Sequence, residues 1–487
     1  MSKRLGLQDL VLLLFLVTIF VLGVFFRVYN LERTGLEVDE VSNFEIAKSY
    51  YDVGFPSVKP EIGGVRQPSY FHPVFAYLLM DGWLNITGQP SILAARMFNV
   101  VASMIALGLI FAFAKSMGLG VGLAAMFFVA VDGWIVLINR MNYLENFQTA
   151  LAIAGVWLLQ MAYAKSDERV SMWWWGGAGL ALGMAVIFKH IGFYLFLVVI
   201  ANLVLVRRFW LGHVMTLAVM IMVVEVYVIA MYLMGGENFL EQQFTQMGRV
   251  FGTVESRGLN YGPIEAMKII VDRYWIFVTT VLALLCGWML VGWRYWQMLL
   301  GRRVLTDVVL VSWNVGAIAF AVLSKLKSPH YLILWLVPVY VFIARELINW
   351  ARGRRMIYVP VIMVLFLILN IFTWNYRFIR VQGDVLRDTS TYINSELPDT
   401  AVVGTESYIG ALLKQPYVRM DHIVKEEDLN GVDYLAIYLS TTATLEALSD
   451  TIQGYKSYCD VVAEFRGFKD RIVLCRVDHD SLVFRGS

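Results

Sequence analysis

LVLLLFLVTIFVLGVFFR, residues 10–27, carries no charge before Arg27. A bilayer's hydrocarbon core takes about 20 apolar residues per helix, and this run with its flanks supplies them. A secretory leader would show an A-x-A-like cleavage site next, and none follows. Further apolar runs follow instead, so the segment reads as a retained first membrane helix.

Composition widens that reading to the whole chain. Apolar residues make up 59% and charged residues 16% of the 487 positions, against about 45–50% apolar in a soluble domain. Such a chain cannot hide its apolar surface from water as a simple globule. The net charge is +2 and no basic run occurs, which gives no reason to expect nucleic acid. About eleven spans are expected: 10–27, 91–114, 120–138, 146–164, 172–188, 191–206, 211–234, 272–293, 306–324, 331–350 and 356–375. Segment 70–88 is apolar but broken by His72, Pro73, Asp81 and Asn85, and reads as a re-entrant or interfacial helix.

From about residue 381 the pattern changes. TAVVGTE, VDYLAIYL, DVVAEF and RIVLCRV alternate with helix-compatible pieces, which predicts a small α/β domain. Of the three cysteines, Cys459 and Cys475 flank the predicted turn RGFKD, where two free thiols or a disulfide fit equally; Cys286 falls in a span. The fold class is therefore a polytopic α-helical membrane protein with about 11 transmembrane helices, juxtamembrane helices and a small C-terminal extracytoplasmic α/β domain. The expected division is 1–380 and 381–487.

Short-loop lysines and arginines set the orientation. With Lys3 and Arg4 inside, the cytoplasmic loops hold Lys115; Lys165 and Arg169; Arg207 and Arg208; Arg294, Arg302 and Arg303; and Arg345, Arg352, Arg354 and Arg355. The outer side then receives 28–90, 139–145, 189–190, 235–271, 325–330 and the C-terminal region.

The unusual polar motifs sort to that side. Asp39-Glu40 follows the first helix: either wet carboxylates of an amphipathic helix, beside Glu37 and Glu45, or a general base at the membrane surface. His72-Pro73, with Arg66 just before, caps the interfacial helix or faces a ligand. Arg96 opens a span, where it snorkels or meets an anion. Arg140 and Glu145 share a short turn, as an ion pair or as site residues, because lone charges at that depth are costly. Lys189-His190 interrupts an almost continuous apolar hairpin, against the positive-inside pattern, so something should compensate it, and a phosphate would. Lys325, Lys327, His330 and Tyr331 gather at another outer helix start. Lysine meets phosphate as a point charge and arginine as a bidentate fork. The glycine-containing stretch 235–271 reads as a lid or as a surface helix.

In their order, Asp39-Glu40, YFHPVFAYL, the arginine opening the next span, NRMNYLEN, FKHIGFY and KSPHYLILWLVP resemble family 39 glycosyltransferases of the membrane-embedded GT-C class. This family holds the protein O-mannosyltransferases and the lipid A aminoarabinose transferases, and the likeness, of prokaryotic type, spans about residues 8–380. The second proline of its His-Pro-Pro motif is Val74 here, and the aromatic of its Lys-aromatic-Gly motif is His190. The resemblance implies a polyprenyl-phosphate monosaccharide donor and an inverting transfer to a protein, glycan or lipid hydroxyl. It implies Asp39 as base with Glu40 beside it, Arg96 and Lys189 on the donor phosphate, and Glu145 as a second acidic residue. Arg66, Lys327 and Tyr331 are further phosphate candidates, and His72, Arg140 and His190 further acceptor-side ones. Some relatives use a divalent cation, Mg or Mn, for which Asp39, Glu40 and Glu145 would be the ligands; others use none. The implied setting is a prokaryotic plasma membrane with the active site on its outer face.

The chemistry fits independently: inversion needs one base and an electrostatic clamp on the leaving phosphate. The rivals are a transporter, for which Glu225 in a span is the best witness, and a non-catalytic scaffold subunit.

Overall fold

The computed structural model describes residues 7–36, 38–66, 68–70, 72–88, 90–165, 168–206, 209–251, 278–300, 305–324, 329–374, 384–420, 429, 431–440, 459–466 and 470–478. Two compact units divide the chain: Met1–Tyr29, Tyr70–Trp83 and Ala94–Trp374 form the first, and Asn30–Ser69, Leu84–Leu93 and Asn375–Ser487 the second.

The first unit is helical. Its helices are α1 (Leu7–Val28), α3 (Val74–Thr87, which ends in the second unit), α4 (Ile92–Lys115, which begins there), α5 (Leu119–Val131), α6 (Gly133–Arg140), α7 (Glu145–Ala164), α8 (Glu168–Val186), α9 (Tyr194–Leu205), α10 (Trp210–Phe251), α11 (Val278–Leu299), α12 (Leu305–Leu323), α13 (Leu332–Trp350) and α14 (Tyr358–Trp374); α2 (Val38–Val53) belongs to the second unit. Among the described residues six helices are long and apolar enough to cross a membrane, or seven if one bent pair counts as a span. The architecture is that of a multi-span helical membrane protein.

Three local features depart from the expected spans, each for a physical reason. The expected span 120–138 breaks at Asp132, where α5 and α6 meet at 62°. An aspartate in so apolar a run persists only if saturated. Its Oδ1 accepts from the Ile135 amide at 2.9 Å and so caps α6, while the hydroxyls of Thr280 and Tyr340 donate to Oδ2 at 2.9 and 2.6 Å. The Gly133 amide donates to Asn370 Oδ1 at 2.8 Å.

The second departure is α10, which does not stop at Met234 but runs to Phe251. Gly235 and Gly236 permit this in different ways. Gly236 takes φ 57°, a kink that favours glycine. A Cβ on Gly235 would lie 2.8 Å from the Tyr70 ring. Residues 252–271 of the expected lid lie outside the described residues.

The third is the interfacial segment 70–88. It contains α3, whose first amide, on Val74, donates to the Tyr227 hydroxyl at 3.0 Å. Pro73 sits immediately before it, where a missing N–H costs no helical bond.

The second unit contains α2, α15 (Val385–Glu396), α16 (Ser407–Gly410) and a five-stranded sheet. The strands are β1 (Val403–Thr405), β2 (Tyr417–Arg419), β3 (Tyr434–Ser440), β4 (Cys459–Arg466) and β5 (Asp470–Val477), in the order β2-β1-β3-β5-β4. The first two pairings are parallel and the last two antiparallel. Strand alternation explains its two cores. Ala436, Ile472 and Leu474 face one, with Val385, Leu386 and Ile393. Leu435, Ile437, Cys475 and Val477 face the other. The predicted hairpin is present as β4 and β5; Cys475 is disulfide-bonded, and Cys286 is a free, exposed thiol.

Candidate active site

A buried ionic cluster of the first unit stands where α7 begins and the α8–α9 hairpin turns. Glu145, the first residue of α7, is wholly buried. Lys189 lies in the turn between α8 and α9, just before the 3-10 turn His190–Phe193. Its Nζ donates to Glu145 Oε1 at 2.6 Å. His330 Nε2 stands 3.2 Å from the same oxygen, and its ring stacks on Tyr143 at 4.8 Å. The Lys189 ammonium also lies 5.2 Å from the centre of the Tyr331 ring. Taking such charges out of water is expensive, and only close pairing offsets it. Glu145 Oε2 is buried without a hydrogen-bond partner.

The turn itself is pinned by backbone contacts. Gln148, one turn along α7, donates from Nε2 to the carbonyls of Ala185 and Lys189 at 2.9 and 2.8 Å. A Cβ on Gly192 would lie 2.7 Å from Gln148 Nε2 and 2.8 Å from the Ala185 carbonyl, so glycine permits the approach. His190 Nε2 hydrogen-bonds Gln243 Oε1 at 2.5 Å, and Gln243 Nε2 donates to the Tyr70 carbonyl. The continuation of α10 beyond its kink thus packs on this turn.

A small, partly open cavity adjoins the cluster. His72, Lys189, His190, Gln246, Ser324 and Tyr331 supply its polar lining. His72 Nδ1 is buried without a hydrogen-bond partner. Burial, with the Lys189 charge next in size, pushes His72 well below the ordinary histidine value, so the ring is neutral near pH 7. A neutral histidine offers one donor and one acceptor. Lys189 therefore supplies the positive charge at this wall, and hydroxyl, amide and imidazole groups surround it.

Arg140 and Glu145 do not pair. The Arg140 guanidinium donates to the carbonyls of Phe26, Arg27 and Tyr29 at 3.0, 3.2 and 2.8 Å, closing the end of α1. Arg96 is wholly buried in the first turns of α4, near enough to Arg140 for their like charges to oppose each other. From Arg27 runs a chain of buried amides. Arg27 donates to Asn139 Oδ1 at 2.8 Å, Asn139 to Asn146 at 2.6 Å, Asn146 to Asn99 at 3.1 Å and Asn99 to Asn142 at 2.8 Å. No role was assigned to these asparagines from sequence, although Asn139, Asn142 and Asn146 lie in the stretch NRMNYLEN.

In the second unit Asp39 is exposed and Glu40 wholly buried, both in the first turn of α2. The part-buried Arg66 donates to Ser57 Oγ at 3.4 Å. Lys327 lies outside the described residues. Among the described residues no group of three or more His, Cys, Asp or Glu side chains stands together as a metal ion requires. Glu145 is moreover held by Lys189, so these side chains do not fit a metal.

Residues 71–232 match the family model described as dolichyl-phosphate-mannose-protein mannosyltransferase. No curated protein matches the chain in sequence. Among solved structures, ArnT from Cupriavidus metallidurans bound to undecaprenyl phosphate aligns with a TM-score of 0.64 and 13% identity, over 96% of this chain and 98% of that one. The archaeal oligosaccharyltransferase AglB from Archaeoglobus fulgidus, with an inhibitory peptide and a dolichol-phosphate, aligns at 0.58 and 11% identity, over 88% and 69%. The mycobacterial arabinofuranosyltransferase AftD aligns at 0.50 and 13% identity, over 98% of this chain and 41% of that one.

Proposed function

We propose that this chain, whose fold is shared with ArnT and whose residues 71–232 match a mannosyltransferase family model, is a GT-C glycosyltransferase that moves a monosaccharide from a polyprenyl-phosphate donor to an acceptor hydroxyl on the outer face of a prokaryotic plasma membrane. The observation that carries the reading is the buried Lys189 beside a cavity of mixed polar and apolar lining at the end of an apolar hairpin. A lysine buried at such a depth is paired or put to use, and Lys189 has both a partner in Glu145 and a cavity beside it. The polyprenyl phosphates bound by ArnT and AglB make a lipid phosphate the fitting anion.

Residue roles follow from charge and position. Lys189 and the buried Arg96 stabilise the phosphate as it leaves. Tyr331, which lines the cavity, and Arg66 are further donors to it, and Lys327 is a further cation of the same motif. Glu145 holds the Lys189 ammonium in place. Asp39, exposed to solvent, takes the proton of the acceptor hydroxyl as that oxygen attacks the anomeric carbon. Glu40, buried beside it in sequence, orients it. His72 and His190 contribute neutral hydrogen-bonding groups, and Arg140 holds α1. The disulfide at Cys475 suits an oxidising, extracytoplasmic side for the C-terminal region.

The test is release of free polyprenyl phosphate by the purified protein in lipid. A panel of polyprenyl-phosphate monosaccharides is offered, with a membrane extract as acceptor source. Release with one sugar, lost in Asp39→Asn, supports the reading. Donor flux across vesicles without release would favour a transporter.

A further inference from the structure

In the second unit, the segments that flank the helix carrying Asp39 and Glu40, before it and after it, are both held by residues of the C-terminal region. On the N-terminal side, Arg387 at the start of α15 donates from Nη1 to the Glu32 carbonyl and from Nη2 to the Thr34 carbonyl at 3.4 Å. Leu36, two residues before α2, packs into the core formed by Val385, Leu386 and Ile393. Asp384 fixes Arg387 in turn: its Oδ1 caps α15 by accepting from the Arg387 amide at 3.1 Å, and its Oδ2 lies 3.3 Å from Arg387 Nε.

The C-terminal side is held more tightly. Lys59 Nζ donates to the carbonyls of Leu413, Gln415 and Gly410 at 2.5, 3.2 and 3.4 Å. The Tyr417 hydroxyl donates back to the Lys59 carbonyl at 2.8 Å. The Ile62 amide donates to the Tyr417 carbonyl at 2.9 Å, and the Arg419 amide to Glu61 Oε2 at 3.0 Å. These last contacts run along β2, an edge strand of the sheet. An edge strand leaves backbone donors and acceptors unmet; residues 59–62 meet them.

The intervening chain leaves little slack. Ser49 of α2 donates to the Phe55 carbonyl at 2.8 Å and accepts from the Ser57 amide at 2.7 Å. The Ser69 amide donates to the Pro56 carbonyl at 2.7 Å. A rotation of α2 must therefore break contacts to α15 or to the β2 edge.

We infer that the C-terminal α/β domain is the mount of the Asp39–Glu40 helix, and that Arg387 and Lys59 are positioning residues acting on the transfer step through α2. The inference rests on the proposed role of Asp39. It assigns the domain a part in catalysis that involves no contact of its own with the donor. Lys59 suits the task because three carbonyls converge on its ammonium; burial lowers its pKa, and Glu45 opposes that shift. Methionine in its place keeps the stem but loses all three bonds.

The experiment uses the full-length protein in lipid. Lys59→Met and Arg387→Ala are compared with wild type by donor kinetics and by amide hydrogen exchange over residues 38–53. The expected result is faster exchange in α2 and a fall in kcat of about 10- to 100-fold, the scale of an ångström-sized misplacement, with donor KM unchanged. Unchanged exchange in α2, or an unchanged kcat, would overturn the inference. Should either variant fold poorly, Tyr417→Phe removes a single bond of the same clamp and is read in the same way. Asp39→Asn separates the two readings. Wild-type turnover in Asp39→Asn would end the base assignment, while faster α2 exchange in the clamp variants would still establish the mount.

Discussion

Lys189 and Glu145, 44 positions apart in sequence, meet at 2.6 Å where the α8–α9 turn touches the start of α7. Neither side chain reaches water to any useful extent. Removing one partner of such a pair costs about 3–5 kcal/mol, because the other charge is left buried alone. Lys189→Ala and Glu145→Gln should each lower stability on that scale. Combined as Lys189→Ala with Glu145→Gln, the loss should fall short of the sum by about 0.5–3 kcal/mol. Thermal unfolding of the four proteins in detergent checks this; strict additivity would mean that the pair is not coupled. In turnover assays of the folded fraction, Lys189→Ala should raise the apparent donor KM.

Asp39 is exposed at the first turn of α2. Its replacement by asparagine keeps shape and removes basicity. A lost general base costs about 10²- to 10⁴-fold, so Asp39→Asn should lose transfer by at least that lower figure. Its melting temperature and its binding of polyprenyl phosphate should stay close to wild type. Parallel turnover and binding measurements decide it; near-normal turnover would remove Asp39 from the mechanism.

Lys189 was legible in the sequence because a cation in an apolar hairpin turn contradicts the local pattern. Its partner was not, because local pattern carries no information about which helix ends meet. Arg140 shows the same limit: adjacency in a short turn pointed to Glu145, and the fold sends the guanidinium to α1 instead. The bend at Asp132 was hidden because hydropathy averages over one aspartate, whereas the backbone answers to its capping bond. The two glycines at 235 and 236 read as loop, yet here they let a helix kink and continue. The α/β region and its hairpin were legible, since alternation and a turn motif are local signals. That residues 30–69 fold into the same unit was not, because that union rests on contacts more than 300 positions apart, such as Arg387 to Glu32 and Lys59 to Leu413.

Arg140 separates a structural arginine from a ligand-binding one. Its three bonds run to the carbonyls of Phe26, Arg27 and Tyr29, in and just beyond the last turn of α1. Hydrogen bonds from a charged donor contribute about 1.5–3 kcal/mol. Arg140→Ala should therefore destabilise by about 3 kcal/mol, while the donor KM of the folded fraction stays unchanged. A raised KM with normal stability would show that the side chain serves the donor after all.

Glu45 gives the second unit a pH dependence whose sign can be worked out. Burial raises its carboxyl above the ordinary 4.5, against the pull of Lys48, Arg66 and Lys59; Asp52 adds to the rise. The folded protein then holds this proton more tightly than the unfolded chain does. Stability tied to Glu45 is fully present below 4.5 and is lost as pH rises through the folded value. Lys59 acts in a different window: burial depresses its pKa below 10.5, so the unfolded chain binds more protons there, and its linkage raises stability with pH on the alkaline side. Glu45→Gln removes the acidic-side term without adding a charge. Its melting temperature should exceed that of wild type at neutral pH, and the gap should close as the pH approaches 4.5. Melting curves of both proteins across that range check the sign. A gap that widens on acidification would mean that Glu45 is stabilised as the carboxylate, paired with Lys48 or Arg66.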